Sequence, residues 1–187
     1  MSDRPPVLYL VGFMGAGKTS VGERLAALLG WRFLDLDARI EARAGCSIRE
    51  LFRREGEPYF RTLERAELVE ASRERDVVVA LGGGAFCSAE NQAIVRTTGA
   101  SVYLEAPADV LYRRCSGETG RPLFTTPESM QDLLERRRPL YERANFRLDV
   151  THLSIDEAAA RIAAALKESS NPSVTSSESG TKEFGQG

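Results

Sequence analysis

Continuous apolar runs and helix-spaced apolar residues alternate along the chain. Val7-Leu8-Tyr9-Leu10-Val11 and Val77-Val78-Val79-Ala80-Leu81 are apolar at every position. Such runs predict central parallel strands covered on both faces. Trp31-Arg32-Phe33-Leu34 and Ser101-Val102-Tyr103-Leu104 predict two more strands, and Phe146-Arg147-Leu148-Asp149-Val150 alternates as a fifth. Between them the spacing turns helical. Val21, Leu25 and Leu28 share a face over residues 18–29, and Gly30 suits the position just past the last turn. Ser88 caps a helix over residues 89–97, and residues 108–115 and 127–141 read as two further helices. Ser154-Ile155-Asp156-Glu157 is a capping box that opens a last helix with Ile155, Ala159, Ile162 and Leu166 on one face. Strands alternating with helices predict an α/β fold with a parallel sheet.

The stretch 38–75 is helical with breaks and longer than a crossover between two strands requires. Residues 38–44 form one piece closed by Gly45. Ser47-Ile48-Arg49-Glu50 is a capping box that starts the next, Gly56 interrupts it, and Pro58 suits the first turn of a longer helix ending near Ser72. An inserted substrate-binding region, about residues 35–64, is expected here. Residues 116–126 break the pattern again. Gly117 and Gly120 flank a polar stretch with Arg121-Pro122-Leu123 at its heart, which predicts a mobile lid. From Ser169 the composition collapses to Ser, Gly, Thr, Pro and Asn, so residues 169–187 are expected to be a disordered tail after a single domain over 1–168.

Composition narrows the function classes. The chain has 187 residues, enough for one real core, and a net charge of −2, unlike the clearly basic balance of nucleic-acid binders. Cys46, Cys87 and Cys115 lie far apart with no C-x-x-C spacing, which suggests reduced thiols rather than a disulfide frame or zinc site. His152 is the sole histidine and reads as a loop residue. The start of the chain carries no signal-peptide pattern, and no apolar run approaches the ~20 residues needed to span a bilayer. A soluble, cytoplasmic protein with no membrane or nucleic-acid partner is expected, and nothing demands more than a monomer.

The first strand runs straight into Gly12-Phe13-Met14-Gly15-Ala16-Gly17-Lys18-Thr19. This is G-x-x-x-x-G-K-[ST] with a strand before and a helix after, the setting the motif requires. Glycines let the backbone curl so that successive N–H groups point at phosphate oxygens, and the new helix adds its positive dipole end. Lys18 supplies charge for the β- and γ-phosphates, and the Thr19 hydroxyl can ligate Mg²⁺. The chain therefore binds a nucleoside triphosphate such as ATP. The loop alone does not separate a GTPase switch, an ATPase motor and a small-molecule kinase. The short chain and the lack of an Asn-Lys-x-Asp guanine motif favour the kinase.

Further groups stand where ligands bind in open α/β sheets, at the carboxyl ends of strands. Asp35 and Asp37 follow the second strand and, two residues apart on an extended chain, point the same way. Asp35 can serve the Mg²⁺ shell through water, and Asp37 can orient an incoming hydroxyl or accept its proton. Arg61 offers a fork that matches a carboxylate, and Glu64, one helical turn on, can hold its guanidinium. Gly82-Gly83-Gly84 ends the third strand and lets backbone approach a ligand closely.

At these positions the sequence resembles the shikimate kinase family. The stretch Gly45-Cys46-Ser47-Ile48-Arg49-Glu50-Leu51-Phe52-Arg53-Arg54-Glu55-Gly56-Glu57-Pro58-Tyr59-Phe60-Arg61 is similar to the family's G-x-S-I-x-E-x-F…G-E-x-x-F-R signature. Asp35-Leu36-Asp37, Leu81-Gly82-Gly83-Gly84-Ala85, Arg121-Pro122-Leu123 and Arg137-Arg138-Pro139-Leu140-Tyr141 match in order and spacing, over residues 7–166. The resemblance implies a P-loop kinase fold with a five-stranded sheet in the order 2-3-1-4-5. It implies transfer of phosphate from MgATP to the 3-hydroxyl of shikimate, with Asp37, Arg61, Gly83 and Arg137 holding shikimate. It places Arg121 on the transferred phosphoryl group and Arg114 on the adenine. The spacing to Pro139 alone picks Arg137 from Arg136 and Arg138, which are expected to be solvated or on the nucleotide side. Thr151-His152-Leu153-Ser154 matches the family's adenine loop only loosely. A gluconate kinase and a non-catalytic nucleotide or shikimate sensor are the competing readings. The first would lack the Arg61–Arg137 clamp together with the glycine turn, and the second need not keep Lys18, Thr19, Asp35, Asp37 and Arg121 together.

Overall fold

The computed structural model describes residues 7–116 and 126–169; the expected lid with Arg121 and the expected tail beyond Ser169 lie outside them. β1 (Val7–Val11) is buried along its whole length and stands at the centre of a five-stranded parallel sheet. β2 (Arg32–Asp35), β3 (Val77–Ala80), β4 (Ala100–Glu105) and β5 (Phe146–Asp149) complete it in the order β2-β3-β1-β4-β5, as the resemblance implies. Leu8 stands beside Val78 on one side and Ala100 on the other, and Val102 pairs with Phe146 at the edge. Seven helices flank the sheet in the described residues: α1 (Lys18–Leu29), α2 (Leu36–Ala44), α3 (Ile48–Ala71), α4 (Ala89–Thr98), α5 (Ala108–Ser116), α6 (Pro127–Tyr141) and α7 (Ile155–Ser169). One turn of 3-10 helix, Ala85–Cys87, precedes α4.

Local chemistry sets most of these boundaries. α1 ends at Gly30, in the left-handed region at φ 69°, whose N–H returns to Ala26 and Ala27 carbonyls. Ser47, Ser88 and Thr126 accept backbone N–H bonds at the starts of α3, α4 and α6. α3 is broken at Gly56, at φ 80° and ψ 173°, and Pro58 opens the second piece as expected.

Two expectations are corrected. The strand ends at Asp35, whose carboxylate caps α2, so Asp37 stands in the first helical turn and not on extended chain beside it. The apolar faces are also rotated. α1 buries Val21, Gly22, Leu25 and Ala26, and α7 buries Ala158, Ala159, Ile162, Ala163 and Leu166. Leu28 and Ile155 are exposed, at 45% and 48%. Small residues at Gly22, Ala26, Ala158 and Ala163 let the helices approach their neighbours closely, and that close approach decides which stripe faces inward. A side chain on Gly22 would stand 2.4 Å from the Phe33 ring of β2.

All strands run the same way, so their carboxyl ends share one edge. At β1 the chain reverses direction across the sheet: β2 and β3 lie to one side, and the chain then crosses over to β4 on the other. A crevice at the end of β1 is the general consequence of such a switch.

Candidate active site

The loop leaving β1 curls through three left-handed or near-left-handed glycines, Gly12, Gly15 and Gly17, at φ 145°, 76° and 85°. Two of them also leave no room for a side chain. A Cβ on Gly12 would lie 2.6 Å from the Leu104 carbonyl oxygen, and one on Gly15 would lie 2.8 Å from the Leu111 carbonyl oxygen and from Cys115 Sγ. The loop is thus seated against the end of β4 and the last turns of α5. Lys18 Nζ folds back over it and donates to the Gly12 and Phe13 carbonyls, each at 2.9 Å.

The Thr19 hydroxyl donates to Asp35 Oδ2 at 2.7 Å, while Asp35 Oδ1 accepts from the Asp37 and Ala38 N–H groups at 3.0 and 3.2 Å. One carboxylate therefore joins the start of α1 to the start of α2. A hydroxyl and a carboxylate oxygen side by side, next to a phosphate-sized loop, suit a hard divalent cation that keeps several waters. Among the described residues no cluster of three or more His, Cys, Asp or Glu side chains could hold a metal by itself.

The glycine turn after β3 is where the separate elements meet. A Cβ on Gly82 would stand 2.4 Å from Asp37 Oδ1 and 3.4 Å from Glu64 Oε1. On Gly83 it would lie 3.6 Å from the Met14 nitrogen of the phosphate loop and 4.0 Å from Arg137 Nη1. On Gly84 it would lie 2.8 and 2.9 Å from the two terminal nitrogens of Arg61. Asp37 from α2, Arg61 from α3, Arg137 from α6 and the loop after β1 thus converge on three consecutive residues.

The two arginines are held differently. Arg61 pairs with Glu64 at 2.8 Å and with Glu57 at 3.0 Å. Partial burial works against the Arg61 charge, but Glu64 and Glu57 outweigh it and hold the guanidinium more firmly protonated than usual. Glu64 is 1% exposed; burial pushes its acid upward against the pull of Arg61, and nearby Asp37 pushes the same way as burial. Arg137 donates to the Gly83 carbonyl at 3.3 Å and lies 5.9 Å from the centre of the Phe13 ring. Of its neighbours, Arg136 is exposed as expected, whereas Arg138 is half-buried on the side of Tyr103. Arg138 Nε is buried with no hydrogen-bond partner among the described residues.

A family model described as shikimate kinase matches residues 14–167. The chain belongs to the shikimate kinase family. The shikimate kinase of Geobacter metallireducens is 42% identical over 163 residues, which is 86% of this chain and 91% of that protein. That of Caldanaerobacter subterraneus subsp. tengcongensis is 39% identical over 158 residues, 83% of this chain and 92% of the relative. Among solved structures, the shikimate kinase from Acinetobacter baumannii in complex with shikimate superposes with a TM-score of 0.83 at 38% identity. It covers 89% of this chain and 95% of that one.

Several contacts at this shikimate kinase-type site had no role assigned from the sequence. Glu57 braces Arg61 from four residues upstream, a spacing that was open to reading. Tyr141 stands four residues after Arg137 and shares its target, donating its hydroxyl to the Gly83 carbonyl. Phe13 under Arg137 and Cys115 against Gly15 depend on how α5 and α6 pack, which no local spacing announces. Arg114, expected on the adenine, donates to the Val150 and Thr151 carbonyls at 2.9 and 3.4 Å. It thereby ties the end of α5 to the loop after β5.

Proposed function

We propose that this chain moves the γ-phosphoryl group of MgATP to the 3-hydroxyl of shikimate, giving shikimate 3-phosphate and ADP on the route to chorismate and the aromatic amino acids. The supporting observation is the convergence on Gly82–Gly84: anion loop, carboxylate and two guanidinium groups share one cleft. Shikimate carries a carboxylate and three hydroxyls. In this reading its carboxylate lies between Arg61 and Arg137, Gly83 approaches the ring, and Asp37 faces the reacting hydroxyl. Residues 35–64 are then the substrate-binding region.

The roles follow from charge. As the hydroxyl oxygen forms its bond to phosphorus, its proton passes to Asp37 Oδ and the bond from phosphorus to the β–γ bridging oxygen breaks. The leaving electron pair stays on ADP. The Gly12–Thr19 loop, including Met14, Gly15, Ala16 and Gly17, cradles the phosphates, and Lys18 moves from the loop carbonyls to the transferred group. Mg²⁺, held by Thr19 directly and Asp35 through water, would supply further positive charge to the β- and γ-phosphates. Arg121 comes from the lid segment outside the described residues, and Arg114 with the 150–154 loop borders the adenine. Positioning and charge neutralisation carry the rate, with no covalent intermediate.

The proposal takes the chain as a cytoplasmic monomer. Among the described residues no helix is long and apolar enough to cross a membrane. A coupled ADP-release assay tests the reaction: shikimate-dependent turnover supports it, gluconate-dependent turnover would replace it, and binding without turnover would make the chain a sensor.

A further inference from the structure

The phenol of Tyr141 sits behind the glycine turn, with its hydroxyl on the Gly83 carbonyl. Its side chain is fully buried, and its ring packs on Tyr103 of β4 with centroids 5.3 Å apart. The hydroxyl donates to the Gly83 carbonyl, which also accepts from Arg137. The Cys87 thiol, at the far end of the same turn, lies in hydrogen-bonding reach of that hydroxyl. One oxygen therefore ties together both arms of residues 83–87. Asp37 and Glu64 lean on Gly82, and Arg61 leans on Gly84, so the turn is the backstop for the groups around it.

We infer that Tyr141 is a positioning residue for the acceptor side of the reaction: its buried hydroxyl fixes the Gly82–Gly84 turn against which Asp37 and Arg61 are set. A buried tyrosine has two competing explanations, ring packing and hydroxyl function. Here the ring is satisfied by Tyr103, and the hydroxyl is spent on a backbone carbonyl of a turn with no side chains of its own. A three-glycine turn has the least intrinsic stiffness of any sequence, so its shape must be imposed from outside. The hydroxyl supplies that restraint from α6. Burial, the larger influence, pushes its proton affinity upward, so it stays a neutral donor across the working pH range.

The inference rests on the proposed shikimate reading for its kinetic consequence, but not for its structural one. Tyr141→Phe removes one oxygen and keeps the ring. The expected result is a KM for shikimate raised about five- to tenfold, the size of one net hydrogen bond, together with a lowered kcat because Asp37 rests on the same turn, and a KM for ATP within about twofold. An unchanged shikimate KM, or both KM values rising together, overturns it. The amide resonances of Gly82, Gly83 and Gly84 give a readout that needs no substrate. They should move in Tyr141→Phe while those of Gly12 and Gly17 stay; unmoved turn resonances overturn the inference even if shikimate proves not to be the acceptor. Should Tyr141→Phe not fold, Cys87→Ala decides through the second contact of the same hydroxyl. A shikimate KM raised about two- to threefold is expected, and no change overturns the inference.

Discussion

Asp37 Oδ1 lies 2.4 Å from the point that a methyl group on Gly82 would occupy. Gly82 does not sit at positive φ, so its backbone tolerates alanine. What alanine does not fit is the carboxylate. Gly82→Ala should leave the sheet intact and push Asp37 away from the acceptor hydroxyl. A displacement of about 1 Å in a reacting group costs on the order of 10²-fold in rate. We expect kcat with shikimate to fall by about that factor, at a stability cost of about 1–2 kcal/mol from overpacking. Steady-state kinetics and a thermal melt check both halves. Near-normal kcat would mean that Asp37 does not face the hydroxyl.

Lys18 and Asp37 test the two sides of the cleft separately. Lys18 Nζ is engaged by the loop carbonyls of Gly12 and Phe13. Lys18→Ala should lose about 10²- to 10³-fold in kcat, the range for deleting one transition-state charge partner, and remain folded. Asp37→Asn keeps the shape and removes the proton acceptor, which should cost about 10²- to 10⁴-fold. Circular dichroism matching the parent protein alongside lost turnover is the expected pair of results. Retained activity in either variant would refute its assigned role.

The features legible in the sequence were those with local physical causes. β1 and β3 announce themselves because strands buried on both faces are apolar at every position. The break at Gly56 and the caps at Ser47 and Ser88 follow from short-range chemistry and are where they were expected. The strand order and the convergence on Gly83 came through resemblance, because sequence spacing says nothing about which strand lies beside which. Asp37 shows the limit well. Its identity as a candidate was readable, but its setting was not: the Asp35 side chain caps a helix that begins at Leu36, two residues before the expected start at residue 38. Tyr141 shows another. Its four-residue spacing from Arg137 is plain, yet only the folded chain brings both to one carbonyl 58 residues away from Tyr141.

The Thr19–Asp35 pair makes a prediction about metal dependence. Thr19→Val keeps the volume and removes the hydroxyl that donates to Asp35 Oδ2. If Thr19 is a direct oxygen ligand, the Mg²⁺ concentration for half-maximal activity should rise by about tenfold or more, the effect of losing one oxygen ligand or its support. Chelation should abolish turnover in both proteins, and added Mg²⁺ should restore it fully in the parent chain. A Thr19→Val enzyme with the parent's Mg²⁺ dependence would place the ion elsewhere.

Glu64 carries a pH prediction whose sign is opposite to that of four surface carboxylates. Glu50, Glu90, Asp149 and Glu157 are surface acids held below their usual range by hydrogen bonds to Arg53, Ser88, Thr151 and Ser154, in that order. Their contribution to stability is present at neutral pH and is lost on acidification. Burial raises Glu64 instead, against the opposing pull of Arg61. The folded chain therefore holds this proton more tightly than the unfolded chain does. The resulting stability is fully present below the ordinary glutamate value and is lost as pH rises through the raised one. Glu64→Gln fixes a neutral group of the same shape and removes that dependence. The surface acids cancel in a comparison of the two proteins. The melting temperature of Glu64→Gln minus that of the parent should therefore increase as pH rises above the ordinary glutamate value and level off once pH passes the raised one. A flat or falling difference would mean that Glu64 is ionised and fully compensated by Arg61 throughout. In the same variant Glu57, which is exposed, is the anionic brace left to Arg61 among the described residues, so the KM for shikimate should rise by about tenfold, the loss of one charge-assisted hydrogen bond.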